Sequence, residues 1–582
     1  MKEWTNMKNI IGIKASGGIA ISKVFKFDET IINVTTEKIS DTKAEIIRLK
    51  NALESTKKDL LKIKSKTMEN LGKEESFIID AHIEMVADPE IMAQTIQNIE
   101  VASVNAAFAY NKVINGYIQI FEKFDNIYFK ERVADILDIR KRVLCYLLNI
   151  DARDISTIDE EVIIFSHDLT PSDTAVLNKQ FVKGFVTTIG GKTSHSAIMA
   201  RSLEIPAVVG TNDNFEKINN NDIVIIDADA GVVIHNPSDE VIYEYEQLII
   251  KNNDFKRSLI KYKDLPAETF DGHTVEIMAN IGTPKDTDVA IYNGARGVGL
   301  YRTEFLYMDR DKLPTEDEQF EAYKIVLEVM KNQQVVVRTL DIGGDKDLPY
   351  LDLPHELNPF LGYRALRISL DRTDLFKTQL RALLRASIYG KLAIMFPMVA
   401  TLDELRQAKK FLNEVEKELR AEGVEISENF QIGMMIEVPS AAILADMFAK
   451  EVDFFSIGTN DLIQYTVAAD RMSDKVSYLY QPYNPSILRL INMVTKAAEK
   501  EGIPVGICGE MGCDALAIPL LIGLGVNKLS MSSSEILASI REVKQLSYQE
   551  SKKLAEKALN KSSSDEVINL VRKFLQKKVH NS

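Results

Sequence analysis

The sequence predicts a multidomain α/β protein: an α/β domain interrupted by a helical bundle, then a linker helix and a C-terminal (β/α)8 barrel of the TIM type. Three observations predict this architecture. The chain has 582 residues, too many for a single hydrophobic core. Strand-type apolar runs flank a long helical stretch in the first 240 residues. After that, eight short apolar runs alternate with helical patterns.

The first domain is predicted to be discontinuous. Residues 9–27 alternate as strands do, and strand-type runs return later, at Val162–Phe165, Phe185–Thr188, Ala207–Val209 and Ile223–Ile226. Between them, apolar residues recur at helical spacing, and Pro89 is the only proline from residue 36 to residue 148. A helical subdomain is therefore inserted after the first strands.

The second half is predicted to be a barrel that follows a charged, tyrosine-rich helix ending before Pro266. Its eight strand candidates are Val275–Ala279, Gly297–Tyr301, Val335–Leu340, Ala393–Pro397, Ile432–Ile436, Phe454–Ile457, Val505–Cys508 and Lys528–Met531. Eight strands and helices in roughly 300 residues match the length of such a barrel. The predicted boundaries are residues 1–30 plus 150–240 for the α/β domain, 31–149 for the helical subdomain, 241–263 for the linker helix and 264–582 for the barrel.

Composition excludes several classes of protein. With 71 Lys and Arg against 85 Asp and Glu, the net charge is −14, which argues against binding to nucleic-acid phosphates. Three cysteines are too few for a disulfide framework. The first residues lack the apolar core of a signal peptide, and no apolar run is long enough to span a membrane. We expect a cytoplasmic protein.

Polar residues suited to one anionic, metal-bound ligand follow five of the predicted barrel strands. They are Arg302, Arg338, Glu437, Asn460, Asp461 and Cys508, with Arg471 in the loop beyond Asp461. Arginine forks match phosphate and carboxylate, and carboxylates are ligands that Mg²⁺ accepts. Each residue alone could be an ordinary strand end, and Cys508 could equally be a small core residue. The joint pattern favours a site.

A second candidate is His195, which follows a Gly190-Gly191 turn at the predicted start of a helix. A phosphoryl group on this histidine would be favoured by the helix N-terminus, and Thr193, Ser194 and Ser196 could donate to its oxygens. The alternative is a histidine that only bonds its neighbours. A P-loop is excluded, because that motif requires a glycine where this chain has Val186.

These segments resemble the enzyme I family of the bacterial phosphoenolpyruvate-dependent sugar phosphotransferase system. Eight motifs carry the resemblance, in the family's order: residues 168–174 (DLTPSDT), 190–201 (GGKTSHSAIMAR), 301–305 (YRTEF), 341–346 (DIGGDK), 358–364 (NPFLGYR), 436–439 (IEVP), 455–462 (FSIGTNDL) and 508–511 (CGEM). The match extends over essentially the whole chain.

The resemblance implies that the enzyme moves the phosphoryl group of phosphoenolpyruvate to its own histidine, releasing pyruvate, and then to a histidine of the carrier protein HPr. His195 would be phosphorylated in a swivelling domain, with Thr174 as its hydroxyl neighbour in the resting state. The helical subdomain would dock HPr, and the barrel would form a homodimer.

The resemblance also assigns the barrel residues. Cys508 would protonate the enolate, and Glu437 and Asp461 would bind Mg²⁺. Phosphoenolpyruvate would be held by Arg302, Arg338, Asn460, Asp461 and Arg471, with Arg364 nearby.

Two departures from the family pattern are Lys192, where arginine is usual, and Gly512-Cys513, where the family usually has Ala-Gly. Two alternatives fit the sequence less well. Pyruvate phosphate dikinase and phosphoenolpyruvate synthase resemble the chain but need a nucleotide-binding domain for which it has no room. A catalytically silent regulatory relative would be expected to lack the histidine or a metal ligand, and all are present.

Overall fold

The computed structural model of the protein describes residues 9–579 except 28–31, 71–75, 122–126, 151–154, 156–157, 171–172, 175–176, 192–193, 204, 213–214, 309, 311, 345–347, 349, 352, 355, 472 and 474. The chain divides into two compact units, residues 1–254 and 255–582. Each has its own buried apolar cores.

The first unit contains an eight-stranded mixed sheet in the order β1-β8-β7-β3-β4-β5-β6-β2. Its strands are β1 Asn9–Ile11, β2 Ile13–Ser16, β3 Ile19–Phe27, β4 Val162–Ser166, β5 Val182–Thr187, β6 Ala207–Val209, β7 Ile223–Asp227 and β8 Val232–His235. β3 pairs in parallel with β4 and antiparallel with β7, so segments far apart in sequence meet in the middle of the sheet. Apolar side chains pack against both of its faces.

A helical bundle lies in the sequence between β3 and β4. Its helices in the described ranges are Thr42–Asn70, Ser76–Val86, Pro89–Ala102, Ala106–Phe121 and Ile127–Leu148. Pro89 stands at the first residue of its helix, where its missing N–H costs nothing, and Asp88 caps that helix by accepting from two backbone N–H groups. Leu49 and Leu60 of the first of these helices and Ile99 of the third are fully buried in the core of the bundle.

The second unit is a closed barrel of eight parallel strands, which confirms the predicted fold class. The strands are β9 Glu276–Ile281, β10 Gly297–Arg302, β11 Gln334–Arg338, β12 Lys391–Phe396, β13 Gln431–Ile436, β14 Phe454–Ile457, β15 Val505–Ile507 and β16 Lys528–Met531. Alternate residues of each strand face opposite sides. Val335 and Val337 pack with the surrounding helices, while Val336 packs inside the barrel with Leu300, Met395 and Phe454.

Helices surround the barrel and connect its strands. Before β9 the chain forms a helix, Asp239–Leu259, and a 3₁₀ turn, Ile260–Tyr262. The later helices are Asp286–Tyr292, Glu316–Met330, Leu366–Asp371, Thr373–Ala386, Leu402–Ala421, Pro439–Ile443, Ala445–Phe448, Thr459–Val467, Pro485–Glu501, Ile518–Gly523, Ile536–Lys544, Tyr548–Ala558 and Ser564–Val579. None of the helices in the described ranges combines the length and apolarity needed to cross a bilayer.

Candidate active site

The parallel strands of the barrel carry the predicted barrel residues to one end. β10 ends at Arg302 and β11 at Arg338, and Glu437 follows β13 directly. Asp461 lies in the first turn of the helix after β14, and Cys508 follows β15. Because the carboxyl ends of parallel strands share one face of a barrel, these side chains converge where barrel enzymes place their chemistry.

Two buried arginines and three carboxylates form a continuous charged network there. Arg338 donates to Glu304 at 2.6 Å and pairs with Asp341 at 2.8 Å. Arg364 pairs with the other oxygen of Asp341 at 3.1 Å and with Asp461 at 3.3 Å. Asp341 therefore joins the two guanidinium groups. Such charges are tolerated in a protein interior only when they are paired, so the network fixes both arginines in place.

Glu437 is a buried carboxyl group beside this network. Burial, and after it the nearby charges of Asp461 and Asp341, raise its pKa to about 8 against the opposing effect of Arg338 and Arg364. One carboxylate oxygen, Oε1, accepts the backbone N–H of Met398 at 2.6 Å. The other, Oε2, has no hydrogen-bond partner in the described part of the chain.

These features bear on whether the residues could hold a cation. A divalent ion between Glu437 and Asp461 would satisfy the unpartnered Oε2 and neutralise the mutual repulsion that raises the Glu437 pKa. Across the described residues, no cluster of three or more His, Cys, Asp or Glu side chains forms a complete metal site. Two carboxylates do suit Mg²⁺, which keeps waters and substrate oxygens in its shell.

Each of the two buried arginines has an N–H group that could still donate a hydrogen bond to an anion. The Nε atoms of Arg338 and Arg364 are buried and lack a hydrogen-bond partner among the residues that the structure describes. A buried donor left unpaired costs about 1–3 kcal/mol, so its retention here indicates a site shaped for a missing acceptor.

The sequence left open whether Cys508 is a site residue or a small core residue, and its position in the structure has features of both. Cys508 packs inside the barrel with Leu300, Met435 and other apolar residues, and the charges of Glu437 and Arg338 act on its thiol. Burial, with a smaller effect of Glu437, raises the pKa of its thiol to about 11, against the lowering effects of a hydrogen bond with Ser456 and of the charges of Arg338 and Arg302. The thiol thus lies beside the arginines and the carboxylate and keeps its proton at neutral pH.

The remaining predicted barrel residues lie at the same end. Asn460 accepts the backbone N–H of Glu510 at 3.3 Å, which ties the start of its helix to the segment after Cys508. Burial and the charge of Glu510 raise the pKa of Tyr480 to about 12; Arg471 lowers this pKa and Asp461 raises it, so Tyr480 lies near both charges. These residues follow strands that end at the same face of the barrel, and their roles toward a ligand stay predictions.

Cys513, the unusual thiol, occupies a 3₁₀ turn, Glu510–Cys513, beyond the strand end. Its sulfur donates to the Glu510 carbonyl oxygen at 3.3 Å. Burial raises the pKa of Cys513 to about 11, with Glu535 as the next cause.

Sequence reasoning missed the residues that hold the arginines. Glu304 and Asp341 stand within motifs already recognised, and an acidic residue three positions from a strand-end arginine is the signal that could have found Asp341. Tyr465, whose hydroxyl accepts from Arg364 at 3.0 Å, gave no signal, because only its place on the helix Thr459–Val467 brings it to that arginine.

The histidine segment lies in the first unit. A helix, His195–Leu203, begins at the predicted histidine, whose side chain falls outside what the structure describes, as do Lys192 and Thr193. Ser194 precedes this helix and bonds to its first turn: the Ser194 hydroxyl accepts from the Ala197 N–H at 3.3 Å and lies 3.1 Å from the Ser196 hydroxyl. Gly190 has φ +117°, a conformation that favours glycine.

Thr174, the predicted neighbour of the histidine, is fully buried, and its hydroxyl donates to the Thr170 carbonyl at 3.1 Å. Its pairing with His195 stays a prediction.

Comparison with known proteins decides the family. Three family models match in chain order: "PEP-utilising enzyme, N-terminal" over residues 11–132, "PEP-utilising enzyme, mobile domain" over 158–231 and "PEP-utilising enzyme, PEP-binding domain" over 256–548. The phosphoenolpyruvate-protein phosphotransferase of Staphylococcus carnosus is 54% identical over 570 residues, 97% of this chain and 99% of that protein. The chain belongs to the phosphoenolpyruvate-protein phosphotransferase family. Members from Priestia megaterium and Bacillus subtilis are 54% and 53% identical, each over 97% of this chain and 99% of their own length.

Proposed function

We propose that this protein transfers the phosphoryl group of phosphoenolpyruvate to His195, releases pyruvate, and passes the group to a histidine of the carrier protein HPr. Membership in the family supports this function. The observation in the barrel that carries it is the pair of buried arginines, each with an unpartnered donor, beside a carboxylate pair suited to a cation. That combination fits a small molecule bearing a phosphate and a carboxylate.

The proposed roles at the barrel follow from charge. Arg302, Arg338 and Arg471, with Asn460, hold the phosphate and carboxylate oxygens, and Arg364 is kept in place by Asp341 and Asp461. Glu437 and Asp461 would hold Mg²⁺, and a bound ion would supply neutralisation of the negative charge that develops during phosphoryl transfer. The arginines act on the same charge, because transfer of a phosphoryl group is mostly positioning and electrostatic stabilisation.

Cys508 has the properties of the acid that completes the first half-reaction. Breaking the bond between phosphorus and the enol oxygen leaves the enolate of pyruvate, whose methylene carbon must gain a proton. Burial keeps the thiol protonated at neutral pH, and the arginines nearby stabilise the thiolate formed when the proton leaves. Solvent then returns a proton to the sulfur.

His195 is the proposed nucleophile. A neutral imidazole attacks phosphorus and becomes a phosphohistidine at the start of the helix His195–Leu203, where backbone N–H groups and the helix dipole favour an anion. Thr174 is proposed to bond the unphosphorylated histidine. Since His195 and the phosphoenolpyruvate site belong to different units, transfer requires the histidine domain to move to the barrel and away again.

The other parts of the chain take roles that follow the family. We propose that residues 31–149 dock HPr, that residues 264–582 form a homodimer, and that the protein works in the cytoplasm. The histidine domain comprises residues 1–30 and 150–240, and residues 241–263 link it to the barrel.

The decisive experiment is self-labelling. The purified protein with phosphoenolpyruvate, Mg²⁺ and no nucleotide is expected to form an acid-labile, base-stable phosphoprotein and to release pyruvate, whereas His195→Ala should not label. Labelling that requires ATP would favour a pyruvate phosphate dikinase type of enzyme. No labelling at all would favour a silent relative, and labelling of His195→Ala would refute the site.

A further inference from the structure

A buried glutamine outside the charged network connects two strand ends of the barrel. Gln379, on the helix Thr373–Ala386, is only 1% exposed. Its carbonyl oxygen accepts the backbone N–H of Leu340 at 2.9 Å, just beyond the end of β11. Its amide nitrogen donates to the hydroxyl of Thr303 at 3.1 Å, just beyond the end of β10. One side chain thus bonds both segments.

Thr303 extends this connection to an arginine. Its hydroxyl, fully buried, donates to the backbone carbonyl of Arg338 at 2.8 Å. Arg302 and Arg338 are paired residues at the last position of β10 and β11. The chain of bonds from Leu340 through Gln379 and Thr303 to Arg338 therefore continues where the backbone pairing stops.

The strand β10 is irregularly paired with both of its neighbours, β9 and β11. Pairing of β10 with β11 is irregular between Val298 and Tyr301, whereas β11 pairs with β12 in unbroken register. An irregularity leaves part of a ladder unpaired and lets the strand bend. The bonds of Gln379 and Thr303 lie past this irregular stretch, at the carboxyl ends of the two strands.

We propose that Gln379 is a positioning residue for phosphoenolpyruvate binding: by tying the ends of β10 and β11 it sets the distance between Arg302 and Arg338. The proposal rests on the proposed function, in which these arginines hold the substrate. Gln379 acts only through the backbone of the residues that touch the ligand. A small displacement of binding groups is expected to be costly, because recognition of phosphate by arginine forks depends on geometry.

A neighbouring glutamine provides a matched control. Gln319 is also 1% exposed and, like Gln379, makes three hydrogen bonds: it accepts from Tyr307 and Tyr323 at 3.1 Å and donates to the Pro314 carbonyl at 3.2 Å. Tyr323 belongs to both sets, since it accepts from Gln379 at 3.3 Å. Gln319 bonds to neither strand end. Its replacement therefore measures the loss of stability caused by removing a buried glutamine while the connection between β10 and β11 remains intact.

The test compares Gln379→Met, Gln379→Glu and Gln319→Met in the full-length protein. For each, the melting temperature and the KM for phosphoenolpyruvate in Mg²⁺-dependent pyruvate release are measured, together with phosphate exchange from phosphorylated HPr. All three variants are expected to melt earlier. The KM is expected to rise about tenfold in both Gln379 variants, equal to about 1.4 kcal/mol of binding, and to stay within about twofold in Gln319→Met. Exchange with HPr should be unchanged.

Two results would overturn the proposal: an unchanged KM in the Gln379 variants, or an equal rise in Gln319→Met at a similar loss of melting temperature. If the Gln379 variants do not fold, Thr303→Val removes the hydroxyl that bonds Arg338 and should raise the KM in the same direction; no rise there also refutes it. Failure of the proposed function is distinguishable, because the unaltered protein would then release no pyruvate.

Discussion

Replacing Asp341 by asparagine is expected to destabilise the barrel and loosen its two buried arginines. Asp341 is 2% exposed and pairs with Arg338 at 2.8 Å and Arg364 at 3.1 Å through different oxygens. Asparagine keeps the shape and one acceptor but removes the charge and places an N–H₂ group against a guanidinium. The variant therefore tests whether this carboxylate holds the anion-binding groups in place.

The expected loss of stability depends on the ion pairs that each arginine keeps in the variant. Breaking a buried ion pair by removing one partner typically costs about 3–5 kcal/mol. Here Arg338 retains Glu304 at 2.6 Å and Arg364 retains Asp461 at 3.3 Å, so neither charge is left unpaired. We therefore expect the lower end, a loss of about 3 kcal/mol in the free energy of unfolding of the barrel.

Calorimetry, which separates the transitions of two units, measures this loss, and titration with phosphoenolpyruvate measures the accompanying fall in affinity. Asp374→Asn is the matched control, because Asp374 pairs with Arg372 at a similar 2.9 Å but both side chains are well exposed, 62% and 42%. Its expected cost is about 0.2–1 kcal/mol. Equal losses in the two variants would show that burial of the Asp341 pairs adds nothing and would refute the reasoning.

Three further predictions concern the chemistry. Because the folded state raises the pKa of Glu437 from 4.5 to about 8, its neutral form stabilises the metal-free barrel below pH 4.5, and this contribution is lost as pH rises through 8. Melting curves between pH 4.5 and 8 should show this loss of stability, and the affinity for Mg²⁺ should increase as pH rises. Glu437→Gln should remove the pH dependence of both the melting temperature and the Mg²⁺ affinity. A Mg²⁺ affinity of the unaltered protein that does not depend on pH would contradict this prediction. Cys508→Ala should slow pyruvate release strongly while sparing exchange with HPr, whereas Cys513→Ala should affect neither; full turnover by Cys508→Ala would exclude it as the acid. A fragment of residues 1–260 should accept phosphate from phosphorylated HPr but not from phosphoenolpyruvate, and one of residues 262–582 should bind phosphoenolpyruvate; direct labelling of the first by phosphoenolpyruvate would refute the two-site mechanism.

The barrel could be predicted because its strands are buried on both faces and read as continuous apolar runs. β14 and β16 have the predicted bounds, while the run predicted as Val335–Leu340 ends two residues early as β11. The reason is local: the Leu340 N–H bonds the side chain of Gln379 instead of a neighbouring strand. Such a contact depends on a helix that packs across two strand ends, which no pattern along the chain encodes.

The site residues that could be predicted from the sequence are those that stand at or next to the end of a strand. Arg302, Arg338, Glu437 and Cys508 stand at or next to strand ends, where parallel topology alone brings side chains together. The partners that fix them come from loops and helices whose paths are set by tertiary packing. Asp341 therefore acquired its place between two arginines only in the folded structure.

The insertion of the helical bundle between β3 and β4 has a consequence for how the chain folds. β3 (Ile19–Phe27) is complete early in synthesis, yet its two sheet neighbours are β4 (Val162–Ser166) and β7 (Ile223–Asp227). At about 5–20 residues per second, a ribosome needs roughly 10–40 s to reach β7 after finishing β3. Until β4 has been made, both edges of β3 offer unpaired backbone groups to other chains, and the edge that pairs with β7 does so for the whole interval. A bundle made largely of local contacts folds quickly, and once folded it shortens the effective loop that must close before the two halves of the sheet can meet.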